Sequence, residues 1–225
     1  MSNEDFKPKH RIIGRISVWT VFVLSVIYAF VTFLGFLSLK SSQDPIGEPF
    51  FTIMEILIIL ISPVMVISMV IVYVYSSTEL KLYSFIAVIF MICMAVISSS
   101  VHFVVLTVGH KIEAIGLSGF PLFFSFKWPS VVYALDILAW DWFFALSMLF
   151  AAPVFKVGKL EKIVRILMII SGVLSLFGLI GVPLGNMQIR NIGIIGYGVV
   201  APIVFLLLSK VFKLHSIADS DKAKS

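Results

Sequence analysis

Charge and cysteine are what this sequence has least of. Only 13% of its 225 residues are charged, against about 25% in an ordinary soluble domain. Too little polar surface remains to cover a water-soluble globule. The single cysteine, Cys93, excludes an intramolecular disulfide and any zinc site built on cysteines. The short alternation of polar and apolar residues that makes a transmembrane β-barrel is lacking as well. So are a phosphate-cradling glycine loop, a G-x-S-x-G elbow and an H-E-x-x-H pair. No catalytic residue, metal ligand set or cofactor is therefore expected.

Long apolar runs are what the chain does have. Hydrophobic residues make up 60% of it and the mean hydropathy is +1.10. Runs of about 20 apolar residues match a hydrocarbon layer roughly 30 Å thick. The expected fold class is all-α, a polytopic transmembrane bundle of six spans. Their expected limits are Ile16–Leu39, Phe50–Tyr75, Leu82–Val108, Ser130–Phe155, Ile163–Leu184 and Ile192–Ser209. Residues 1–15 read as a basic N-terminal segment and 210–225 as a polar, disordered tail. The apolar stretch after the basic start is too long for a secretory h-region and no A-x-A site follows, so it reads as a retained anchor. Between the third and fourth spans, residues 109–128 are long and half apolar. "FPLFFSFKW" is too short to span and reads as interfacial, with Lys127 and Trp128 at headgroup level; a re-entrant segment is the alternative.

Positive charge sets the expected orientation. With the N-terminus inside, 13 of the 17 Lys and Arg residues fall on the inner side, and only Lys40, Lys111, Lys127 and Arg190 lie outside. This is the positive-inside pattern, and it places both termini in the cytoplasm. It also explains the net charge of +5 through insertion, without a nucleic-acid partner. The expected surroundings are a lipid bilayer, the cytoplasmic membrane of a bacterium.

Four ionisable residues then fall inside spans: Glu55, His102, Asp136 and Asp141. A centred Asp costs about 2.5–3.5 kcal/mol on insertion scales, where a Leu or Ile returns only roughly 0.3–0.6. Such groups must face protein or water. At 1.5 Å per residue, Glu55, His102 and Asp136 each lie about 8–10 Å below the outer end of their own spans. Three consecutive helices thus bring polar groups to one level. Ser98 lies one helical turn from His102 and shares its face. Tyr133 and Trp140 share the face of Asp136. Asp141, five residues on, is rotated by about 140° in a regular helix, so the two aspartates point different ways. Asp136 reads as a partner of His102 or Glu55. Asp141 reads as a deeper buried group, hydrogen-bonded to a neighbouring helix or protonated. The candidate ligand- or proton-binding residues are Glu55, Ser98, His102, Asp136 and Asp141. Interhelical glue is the alternative reading of these groups, and for Glu55, near the interface, a snorkelling or capping carboxylate. In the last two spans, Gly172, Ser175, Gly178 and Gly181 face Gly193, Gly196, Gly198 and Ala201 across a short turn, a pattern for close helix approach.

The stretches "FFTIMEILIILISPVMVISM", "ALDILAWDWFFALSMLF" and "FKVGKLEKIVRILMIISGV" resemble a group of uncharacterised bacterial multi-pass membrane proteins known only as domains of unknown function. The shared pattern is an acid in span two, an Asp ahead of paired aromatics in span four and a basic Lys-x-Gly turn, over roughly Phe50 to Leu184. That family carries a His shortly before the span-four Asp, which this chain lacks. "SSSVH", with Asp136 in the next span, is also similar to part of the motif set of the alkaline-ceramidase-like membrane hydrolases, which bind zinc. Their late His-x-x-x-His pair is missing here. The leading expectation is a transporter or sensor-like protein with an outward-facing polar cavity for a small molecule, lipid headgroup or proton. An intramembrane lipid hydrolase and an assembly subunit of a membrane complex are the alternatives. Oligomeric state is left open.

Overall fold

In a computed structural model of the chain, residues 6–41, 46–109, 111–112, 116 and 119–213 are described in full and 214–222 by their backbone. Six helices are long and apolar enough to cross a membrane: α1 (Pro8–Leu37), α2 (Phe50–Tyr75), α3 (Thr78–Gly109), α5 (Val131–Val154), α6 (Gly158–Gly181) and α7 (Met187–Lys213). A short helix, α4 (Phe120–Phe124), sits between α3 and α5. No strand occurs among the described residues. The fold is an all-α bundle of six spans.

Four helix starts, those of α1, α3, α6 and α7, fall earlier than expected, and three of them have a clear local reason. Pro8 opens α1, its fixed φ suiting a first turn, so much of the basic segment is already helical. At α6, the Glu161 carboxylate accepts hydrogen bonds from the Lys156 and Val157 N–H groups at 3.1 and 2.9 Å. The basic turn therefore shrinks and the helix begins at Gly158. At α7, the Asn186 side chain accepts from Gln188 and Ile189 N–H, an N-cap that starts the helix at Met187. At the other end that helix runs on to Lys222, where a disordered tail was expected. Ser130 caps α5 by accepting from Tyr133 N–H.

The six long helices form a ring in chain order. Each packs on its neighbours, and α7 closes against α1. The start of α1 and the later part of α7 meet at one end of the bundle. There Phe6, 3% exposed, meets Tyr75 and Phe212 with ring centroids 5.2 and 5.7 Å apart. The α4 segment marks the opposite, loop end. Buried Phe144, Phe155, Phe205, Phe212 and several methionines fill the interior. Large apolar side chains such as Ile16, Phe30, Phe33 and Val96 cover the outside, as a bilayer-facing surface requires.

Small residues set the closest contacts. A Cβ at Gly196 would lie 2.5 Å from Ser171 O, and the Ser171 hydroxyl donates to Gly196 O at 2.8 Å. A Cβ at Gly172 would lie 2.7 Å from Leu149 Cγ. Three stretches widen to π-helix: Val105–Gly109, Leu138–Phe144 and Ile195–Val200. Such widenings are often found at functional positions, and the second contains Asp141.

Candidate functional site: a buried charge cluster

The polar residues of the spans turn into the ring. His102 of α3 is the hub, 5% exposed. Its Nδ1 lies 2.8 Å from Glu55 Oε2 of α2, and its Nε2 lies 3.3 Å from Asp136 Oδ1 of α5. Three helices thus contribute to one carboxylate–imidazole–carboxylate chain. Ser98, one turn below His102, is fully buried and accepts the indole N–H of Trp140 at 3.1 Å. Ser98 therefore locks α5 to α3 and does not touch the imidazole chain through any described hydrogen bond.

Asp141 belongs to a second pair. It is fully buried, with Oδ2 3.2 Å from Arg190 Nη2. Arg190 also donates through Nη1 to the Tyr133 hydroxyl at 3.2 Å and lies over that ring, 5.0 Å from its centroid. This corrects the placing of Arg190 in an outer loop. With Asn186 as cap, Arg190 sits in the first turn of α7 and is only 2% exposed. A guanidinium there meets the positive end of the helix dipole, so it depends on Asp141. The sequence signal was the Asn186 cap, one turn ahead of the only Arg near a span at the loop end.

The two aspartates engage different neighbours, Asp136 meeting His102 of α3 and Asp141 meeting Arg190 of α7. Asp136 lies at the end of an α-helical stretch and Asp141 within the π-helical one. Both carboxylates lie within electrostatic reach of Arg190, so the two pairs are neighbours. Tyr28 of α1 and Tyr197 of α7 lie within reach of the same charges. Tyr197 packs on Trp140 with centroids 5.2 Å apart.

Fit around these charges is uneven. The Asp141 carboxylate occupies a crevice floored by glycine: a Cβ at Gly178 would lie 2.9 Å from Oδ1, and one at Gly193 would overlap it. The contacts of His102 Nε2 with Asp136 and of Arg190 Nη2 with Asp141 are close in distance but off-line. Neither makes an aligned hydrogen bond, and both Asp141 oxygens lack an aligned donor among the described residues. Buried polar atoms left in that state are uncommon.

The loop end is closed by aromatics. Phe126 stacks on the His102 imidazole with centroids 5.2 Å apart and 21° between planes. It also meets Tyr133 and Phe51 edge-on. A small apolar cluster of Val101, Val105 and Val132 packs with Phe124 and Phe126 beside the polar one. Of the segment expected at headgroup level, Phe124 and Phe126 thus pack inward beside the cluster, while Leu122 and Phe123 of α4 remain exposed. His110 and residues 113–115 and 117–118 of that segment lie outside the described residues.

Comparison with protein-family models, curated proteins and solved structures returns no match to this chain.

Proposed function

We propose that this is a proton-responsive multi-pass membrane protein, a transporter or sensor, whose proton site is His102 held between Glu55 and Asp136. The observation that carries the reading is that one imidazole meets a carboxylate at each nitrogen, from two other helices. An ionised carboxylate only accepts hydrogen bonds, so the proton in the Glu55–His102 contact is held by the imidazole or shared with the acid. An imidazole placed between two acids can hold or release a proton, and in a low-dielectric interior the charge that results costs several kcal/mol unless it is balanced. Proton uptake or release at this site is thereby coupled to the packing of three helices.

Structural glue alone explains this less well. Glue is supplied by neutral hydrogen bonds such as Ser147 to Ala87 O, 2.7 Å, and does not require an imidazole between two acids. By the charge rule the cluster lies in the outer half of the membrane, with Phe126 stacked on its imidazole.

The test is the unfolding midpoint of purified protein across about pH 5–8, with imidazole-nitrogen NMR of His102. The wild-type midpoint shifts with pH, and His102→Gln and Glu55→Gln flatten the curve. Curves of the same shape in wild type and both variants would sink the reading.

A further inference from the structure

We propose that Arg190 competes with His102 for the Asp136 carboxylate, so that the proton on His102 of α3 is felt by a side chain of α7. This deepens the proton-site reading and rests on it. Arg190 meets α5 at two places. Its Nη1 donates to the Tyr133 hydroxyl at 3.2 Å, and its Nη2 lies 3.2 Å from Asp141 Oδ2. Asp136 lies between those two residues in the chain, one turn beyond Tyr133 on the same face of α5. It is within electrostatic reach of the guanidinium. His102, Asp136, Arg190 and Asp141 thus form a row in which each acid neighbours a group able to carry positive charge.

The partners along this row are not settled. Among the described residues, Asp136 Oδ1 and both Asp141 oxygens lack an aligned donor, and Arg190 Nε and Nη2 lack an aligned acceptor. Arg190 is buried, and buried polar atoms left in that state are uncommon. Two spare guanidinium N–H groups therefore stand near two acids, one of which is shared with His102.

The two cationic groups differ in kind. A guanidinium keeps its charge throughout, whereas an imidazole can give its proton up. With His102 protonated, Asp136 serves the imidazole and Arg190 serves Asp141. Once that proton leaves, an ionised Asp136 turns to Arg190, because a buried carboxylate without a partner is costly. The backbone of Arg190 is held against α6, since a Cβ at Gly178 would lie 2.8 Å from its carbonyl oxygen. The exchange is accordingly a movement of the side chain. The other titratable groups facing the row are Glu55 of α2 on His102 Nδ1, Tyr28 of α1, Tyr133 of α5 and Tyr197 of α7. From α6 the row meets Gly178, and Phe126 stacks on the imidazole.

The experiment uses full-length protein in nanodiscs, with isotope-labelled imidazole and guanidinium nitrogens followed by NMR from about pH 5 to 10, a range that brackets ordinary histidine titration. In wild type the Arg190 side-chain signals move with the same midpoint as those of His102. Asp141→Asn frees Arg190 for Asp136 and lowers the His102 midpoint by about one pH unit or more, as a nearby competing charge does. Adding Arg190→Gln raises the midpoint again, and in an Asp136→Asn background Asp141→Asn no longer moves it. The wild-type measurement needs no variant and decides the matter even where Asp141→Asn fails to fold. Arg190 signals that stay still while His102 titrates, or a His102 midpoint indifferent to Asp141→Asn, overturn the competition and leave the proton reading standing. A His102 signal that does not titrate overturns both.

Discussion

Gly193 of α7 and Asp141 of α5 are so close that a methyl group on the glycine would overlap the carboxylate oxygen Oδ1. A buried acid has thus fixed the residue type on a helix two further round the ring. Gly193→Ala should cost about 1–3 kcal/mol, the usual range for overpacking a tight interior. Adding Gly193→Ala to Asp141→Ala should cost far less than adding it to wild type, because the overlapping atom is gone. Unfolding midpoints of the four proteins check this, and strict additivity would count against the crevice.

The Asp141–Arg190 pair should behave as a unit. Removing one partner of a buried pair costs about 3–5 kcal/mol because it strands the other charge. Arg190→Met and Asp141→Leu should each show a loss of that order. The double variant should be more stable than either single one, as measured by a thermal-unfolding cycle in one detergent.

Phe126 stacked on His102 predicts guarded chemistry at the imidazole. With Phe126→Ala, modification of His102 by diethyl pyrocarbonate should quicken by about tenfold, since a stacked ring forfeits its cover when truncated. Mass spectrometry of the His102 peptide reads the rate, with half-buried His10 as an internal control. Unchanged protection would mean that α4 and its flank do not cover the site.

At the opposite end of the bundle, the Tyr75 hydroxyl donates to Glu161 Oε1 at 2.6 Å, while Oε2 accepts from two backbone N–H groups. Tyr75→Phe removes one hydrogen bond to a charged acceptor and should cost about 1.5–3 kcal/mol at most. Glu161→Ala should cost more, since it also uncaps α6 and leaves the tyrosine hydroxyl without that partner. Unfolding midpoints should rank wild type, Tyr75→Phe, Glu161→Ala in falling order. A reversed order would contradict the capping role of Glu161.

Hydrophobic run length by itself determined the fold class and the number of spans, because each span must satisfy its own backbone in hydrocarbon. Depth counting by itself brought Glu55, His102 and Asp136 to one level, since helical rise is fixed. Rotation about each axis is not fixed in that way. It depends on packing, and at Asp141 on a π-helical widening that "LAWDWFF" does not advertise. Only the tertiary structure decided that Asp141 turns toward α7, that Gly178 and Gly193 make room for it, and that Ser98 serves Trp140. Arg190 shows the limit most plainly. Read along the chain it is a loop cation on the sparse side of the charge count, and in three dimensions it is the buried partner that makes an intramembrane aspartate tolerable.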